Sequence, residues 1–264
     1  MDKLFYVNPN AKIGKNVQIE PFAVIHDDVV IGDNCYIGSG VVIFPGARIG
    51  NNCRIFPNAS IAAIPQDLKF DNEYTTVEIG NNNTIRECVT INRGTAASGK
   101  TVIGDNNLIM AYSHIAHDCV VGSNCVLANN ATLAGHIEVG DYVIIGGMSA
   151  IHQFVHIGQH VILMGGSLVD KDIPPFVKVG KFPASYCGVN SVGLHRRGFS
   201  QDDINEIQDI YRIVFQSGLL YSEALEEVKS LKQTKFTNII ATFMEKADRG
   251  LIKGYNPSDL RANR

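Results

Sequence analysis

Four of the chain's eight histidines, His114, His117, His136 and His152, stand where one fold would gather them. His117 is followed by Asp118, and Gly135 precedes His136. A neutral imidazole is a general base near pH 7, suited to activating a hydroxyl. An adjacent carboxylate can orient it, and a backbone N–H at the Gly135 corner can hold an oxyanion. A different chemistry also fits, because His117, His136 and His152 with an open fourth position could bind zinc. Scattered outward histidines would be mere solvated decoration, so the decision rests on the elements that carry them.

Those elements have a period of six. From Val7, an aliphatic residue recurs at Ile13, Ile19, Ile25, Ile31, Ile37, Ile43, Ile49, Ile55 and Ile61. The phase resumes at Ile79, Ile85 and Ile91, and again from Ile103 to Val169, for 25 positions that are all Ile, Val or Leu. A helix cannot use this spacing, since six residues turn its face by about 240°. An ordinary strand, with a side-chain period of two, cannot use it either. A very short strand followed by a three-residue corner fits. Ten of the 25 units carry Gly directly after the aliphatic, which suggests a corner needing positive φ.

Three units close a triangle, and stacked triangles make a parallel β-helix with a rise of roughly 4.8 Å per coil. The 25 units predict about eight coils, with extruded loops at the phase breaks 62–78 and 94–102. His117, His136 and His152 then fall at one corner of successive coils, and His114 on the strand leading into it. Past Pro174-Pro175 the pattern stops, 177–194 reads as irregular, and helical periodicity begins at Ser200. Helices are expected over about 201–217, 222–232 and 237–248. The expected organisation is a β-helix over 1–194 and a helical domain over 195–264.

The outward residues Leu108, Val126, Ile144 and Ile162 form an apolar stripe at 18-residue spacing. Such a stripe on a soluble prism predicts a subunit interface, hypothetically in a cyclic trimer. Cys35, Cys53, Cys119 and Cys125 occupy a repeated inward position and read as small buried hydrophobes. A net charge of −3 argues against a nucleic-acid binder, and no apolar run is long enough to span a membrane. The chain's start, Met1-Asp2-Lys3-Leu4-Phe5, lacks the pattern of a secretory signal, so a cytoplasmic location is expected.

The sextets resemble the left-handed parallel β-helix of hexapeptide acyltransferases, and the handedness is taken from that resemblance. Ala116-His117-Asp118-Cys119, the run Leu127–His136, Ile145-Gly146-Gly147 and Ile151-His152-Gln153-Phe154 are similar to the signature of the UDP-N-acetylglucosamine O-acyltransferase family. Pro65-Gln66-Asp67-Leu68-Lys69 and Leu194-His195-Arg196-Arg197-Gly198-Phe199 match as well. The resemblance implies transfer of a 3-hydroxyacyl group from acyl carrier protein to the 3-hydroxyl of UDP-N-acetylglucosamine, the first step of lipid A biosynthesis, without metal or other cofactor. It makes His117 the base and Gly135 the oxyanion donor. His114, His136, His152 and Gln153 would line the sugar-nucleotide site, and Gln66, Asp67 and Lys69 would meet the acyl hydroxyl and the sugar. Asn190, Arg196 and Arg197 would contact the nucleotide, Gly165 would set acyl length, and the site would lie between subunits of a homotrimer. The acidic carrier would dock on the C-terminal part, where residues 195–264 carry a net charge of +1 against −4 for 1–194. The alternatives are the N-acyltransferase of the same pathway, which carries an extra N-terminal domain, and a zinc-dependent hydratase on the same prism.

Overall fold

The computed structural model describes residues 4–254. Each of the 25 periodic aliphatics lies on its own parallel strand of two to four residues. Every third strand joins the same sheet. The first face runs from Tyr6–Val7 to Leu168–Val169 in nine strands, as 25 units at three to a coil require: eight full coils and one further strand. The second face has eight strands and the third eleven. From Ile25 onward all these aliphatics are buried, and with the small inward residues they form one continuous core.

The glycines after the aliphatics have a different purpose from the one expected. None of the ten has positive φ; that conformation falls on the third corner residue, as at Asn34 (φ 58°) and Asn124 (φ 60°). Asparagine tolerates this region better than most L-residues. The glycines are small because the coils touch. A Cβ on Gly32 would lie 2.7 Å from the carbonyl carbon of Gly50. Cys35, Cys53, Cys119 and Cys125 are buried free thiols, and burial pushes Cys119 up to about 12.

The chain leaves the prism only over 64–75 and 93–99, because strands Ser60–Ala63, Thr76–Ile79 and Lys100–Ile103 reach into the expected loop spans. Both loops depart from the corner between the first and second faces. That corner, here the first corner, also carries residues 116–118, 134–136 and 152–154 on the next three coils.

The segment 177–194, read as irregular, is ordered. Val177–Gly180 pairs in parallel with Ile162–Leu163 and extends the third face, and Ser185–Val189 returns antiparallel to it. The period hid this because Ile173 comes only four residues after Val169. Helix α1 follows at Ser191–Arg196, unanticipated, then α2 (Gln201–Gln216), α3 (Tyr221–Ser230) and α4 (Lys235–Glu245). Ser200 caps α2 reciprocally with Asp203. The helices seat on the prism's end through Phe176, Phe199 and Phe236, and Tyr211 Oη donates to the Pro175 carbonyl at 2.6 Å. Residues 255–264 of the expected helical domain lie outside the described residues. No helix among the described residues is long and apolar enough to cross a membrane.

Candidate active site

Strand pairing places Thr90, His114, Thr132, Ala150 and Leu168 one above another on the outside of the first face. The next residues along each coil turn the first corner, and their side chains meet there. His117 is the middle residue of its corner and Asp118 the third, at φ 60°. His117 Nδ1 lies 2.7 Å from Asp118 Oδ2. An ionised carboxylate can only accept, so Nδ1–H donates and Nε2 is left as the acceptor.

Asp118 is almost wholly enclosed, its side chain 1% exposed. The second extruded loop supplies its other partners. Thr95 N–H donates to Oδ1 at 2.9 Å, Thr95 Oγ1 to Oδ2 at 2.7 Å, and Ser98 Oγ to Oδ1. Burial works to raise the Asp118 carboxyl, but the hydrogen bonds from Ser98, His117 and Thr95 prevail and hold it below its usual range.

The His117 ring lies directly over Gly135. A Cβ there would fall 2.5 Å from Cε1 and 2.7 Å from Nε2, so this corner admits only glycine while the ring stays in place. The Gly135 amide also differs from its counterparts at the second corner. There the middle residue's N–H is capped by the middle side chain of the next coil: Asp33 by Asn51 at 2.8 Å, Asn51 by Asn81 at 2.9 Å, Asp105 by Ser123 at 3.0 Å. Above Gly135 stands Gln153, which gives no such cap, and the Gly135 N–H finds no acceptor among the described residues. An imidazole with a free Nε2 thus sits against an uncapped amide, which is the arrangement of a base beside an oxyanion donor.

Three of the four histidines gather. His136 meets His117 edge-on with centroids 5.1 Å apart, and its Nε2 is 3.7 Å from Asp118 Oδ2. Its own positive φ is accompanied by stacking on Phe154 at 4.7 Å. His114 pairs with Thr90 Oγ1 at 2.7 Å; burial and then the nearby His117 lower its pKa, which favours the neutral ring. His152 is exposed, with Nδ1 3.1 Å from the Gln153 carbonyl, and stands apart. The three imidazoles of the zinc alternative are therefore not brought to one point. The group close enough to share an ion is His117, Asp118 and His136. Its carboxylate lone pairs are already committed to Thr95, Ser98 and His117, which does not fit a metal centre.

The remaining expected residues are more dispersed. Gln66 and Lys69 are exposed on the first loop, while Asp67 holds the local turn by accepting from Lys69 N–H at 2.9 Å. Gln153 is half-buried at the first corner. Asn190 is buried; Nδ2 donates to the His160 carbonyl at 2.9 Å and Oδ1 accepts from Gly193 N–H, so its polar atoms fix α1. Arg196 is exposed, whereas Arg197 lies over Tyr142 at 5.4 Å with its Nη1 buried and unpartnered. Tyr142 belongs to the second corner, so these arginines occupy a different edge from the histidines. Gly165 is exposed in the middle of the third corner. Lys229 is paired with Glu226 and Glu245, and Lys235 with Asp203, which blunts the basic face expected for a carrier. Sequence reasoning missed Thr95 and Ser98; the available signal was that both phase breaks fall at the first corner.

Comparison with known proteins agrees with this fold. Residues 172–252 match the second domain of UDP-N-acetylglucosamine O-acyltransferase, and residues 10–45 and 100–135 match the bacterial transferase hexapeptide. An acyl-[acyl-carrier-protein]--UDP-N-acetylglucosamine O-acyltransferase from Burkholderia lata is 43% identical over 201 residues, 74% of this chain and 77% of that one. The crystal structure of a UDP-N-acetylglucosamine acyltransferase from Bacteroides fragilis superposes with a TM-score of 0.93 at 47% identity, over 96% of this chain and 100% of the other. That from Francisella novicida gives 0.94 at 39% identity, over 98% and 95%. The prism is accordingly left-handed and the protein an acyltransferase: the chain belongs to the UDP-N-acetylglucosamine O-acyltransferase family.

Proposed function

We propose that the chain transfers a 3-hydroxyacyl group from acyl carrier protein to the 3-hydroxyl of UDP-N-acetylglucosamine, opening lipid A biosynthesis, with His117 as the general base. The observation that carries this is the imidazole, held at Nδ1 by Asp118 and lying over the uncapped Gly135 amide. His117 Nε2 takes the proton of the sugar hydroxyl as its oxygen attacks the thioester carbonyl. The carbonyl oxygen becomes an oxyanion and accepts from Gly135 N–H. Collapse breaks the C–S bond, and the leaving carrier thiolate takes the proton back from the imidazolium. No step calls on a metal or other cofactor. The test mixes the protein with UDP-N-acetylglucosamine and 3-hydroxyacyl carrier proteins of several lengths and reads products by mass spectrometry. An O-acylated nucleotide sugar is the expected product, and none with any donor would sink the reading. The preferred donor length would test Gly165, whose missing side chain leaves room for a long chain.

The working unit in this reading is a cytoplasmic homotrimer. The proposed base and the arginines proposed for the nucleotide lie on different edges of one prism, so a neighbouring copy would bring Arg196 and Arg197 to the histidine edge, while the first loop with Gln66, Asp67 and Lys69 departs from that same corner within the chain. His114, His136, His152 and Gln153 would then line the sugar-nucleotide cleft, with Asn190 contributing through the placement of α1. Leu108, Val126, Ile144 and Ile162 stack in register on the third face, half-buried in the single chain, and supply an apolar surface for the assembly. Ile144→Lys is expected to convert trimers to monomers in sedimentation and to remove activity. An unchanged sedimentation coefficient would move the interface elsewhere.

A further inference from the structure

The Asp118 carboxylate is held less by the prism than by the loop 93–99, which leaves the coil next to it. Thr95 grips both oxygens: its N–H donates to Oδ1 at 2.9 Å and its hydroxyl to Oδ2 at 2.7 Å. The direction of the hydroxyl proton is fixed, since Oγ1 also accepts from Ala97 N–H at 3.2 Å. Oδ2 is the same oxygen that receives His117 Nδ1–H. Two donors on two oxygens fix the plane of the carboxylate, and with it the tilt of the imidazole over Gly135. Thr95 itself is buried, 7% exposed. The loop is tied in turn to the first loop, where Glu73 Oε1 accepts from Ala96 N–H at 2.9 Å.

We propose that Thr95 is a positioning residue for acyl transfer: its bidentate grip on Asp118 sets the orientation of His117 and limits the negative charge that His117 meets. This rests on the reading of His117 as the base. The charged and titratable groups facing the pair are Asp118 itself, His136 and His114, with Glu73 behind the loop. Without the Thr95 hydroxyl, Oδ2 carries more unshared charge and holds an imidazolium more tightly. The base then needs a higher pH to be free.

The test compares pH profiles of the purified full-length enzyme with its Thr95→Val, Thr95→Ser and Ser98→Ala variants. Thr95→Val is expected to lower kcat about tenfold, to leave KM for the nucleotide sugar within about twofold, and to move the acid limb of kcat/KM up by about half a pH unit. Thr95→Ser restores both, because it keeps the donor. Ser98→Ala removes another donor to the same carboxylate from an exposed position, where folding is not at risk. It is expected to move the limb in the same direction by less. The proposal is overturned if the limb stays in place in Thr95→Val and Ser98→Ala, or if Thr95→Ser is as impaired as Thr95→Val. His117→Ala separates the two ideas. Full activity there would end the base reading, whereas loss there with an unmoved limb in the threonine and serine variants would end only the positioning role.

Discussion

His117→Ala loses acyl transfer by a factor on the order of 10³ in kcat while UDP-N-acetylglucosamine still binds, since removing a positioned general base costs about 10²–10⁴. The loss is in kcat because the imidazole acts on a proton that moves only as the sugar oxygen attacks. The side chain lies outside the hydrophobic core of the prism, packed on Gly135 and His136 at the first corner. Its one hydrogen bond is to Asp118, which keeps Thr95 and Ser98 as partners. Circular dichroism and assembly size should therefore match the parent protein, and calorimetric titration with the nucleotide sugar should give an affinity within a few-fold. Activity within tenfold of the parent would assign the proton to another group, with His136, whose Nε2 is 3.7 Å from the same carboxylate, the next to examine.

The period of six made the prism and the histidine edge legible, because one inward aliphatic per corner leaves a single way to close the coil. His114, His117 and His136 could be placed at one edge by counting alone. Counting failed where its unit was broken. Ile173 follows Val169 by four residues, so the coil that continues into Val177–Gly180 was invisible. It also assigned the glycines to the wrong task. A one-chain pattern shows that a small residue recurs, but not whether φ or the coil about 4.8 Å away demands it; here the neighbouring coil does. Asp118 was legible as a neighbour of His117, though not as the anchor of a loop, because Thr95 and Ser98 lie 23 and 20 residues away and, being small and polar on an extruded loop, follow no period. The assignment of Arg196 and Arg197 to the nucleotide came only from resemblance. No periodicity links Arg197 to a corner, and its seat over Tyr142 depends on how the helices pack on the prism's end.

Gly135→Ala is the second large effect, and it acts through space rather than through the amide. The alanine N–H is still there to meet an oxyanion, and the φ at this position lies outside the left-handed region, so the backbone tolerates a side chain. The new Cβ, however, would fall 2.5 Å from His117 Cε1 and 2.7 Å from Nε2, roughly 1 Å inside ordinary contact. The ring has to move by about that distance, and a misplacement of about 1 Å at a reacting group can cost on the order of 10² in rate. The expected result is a kcat reduced about a hundredfold, with the fold and assembly kept. The double variant with His117→Ala decides the cause. Once the ring is gone the Cβ enters vacated space, so Gly135→Ala should cost almost nothing further, and the two losses should be strongly non-additive. Full additivity would mean that the alanine harms the site by another route, such as turning the amide away from the oxyanion. Near-parental activity of Gly135→Ala alone would mean that the imidazole does not work from its place over this corner.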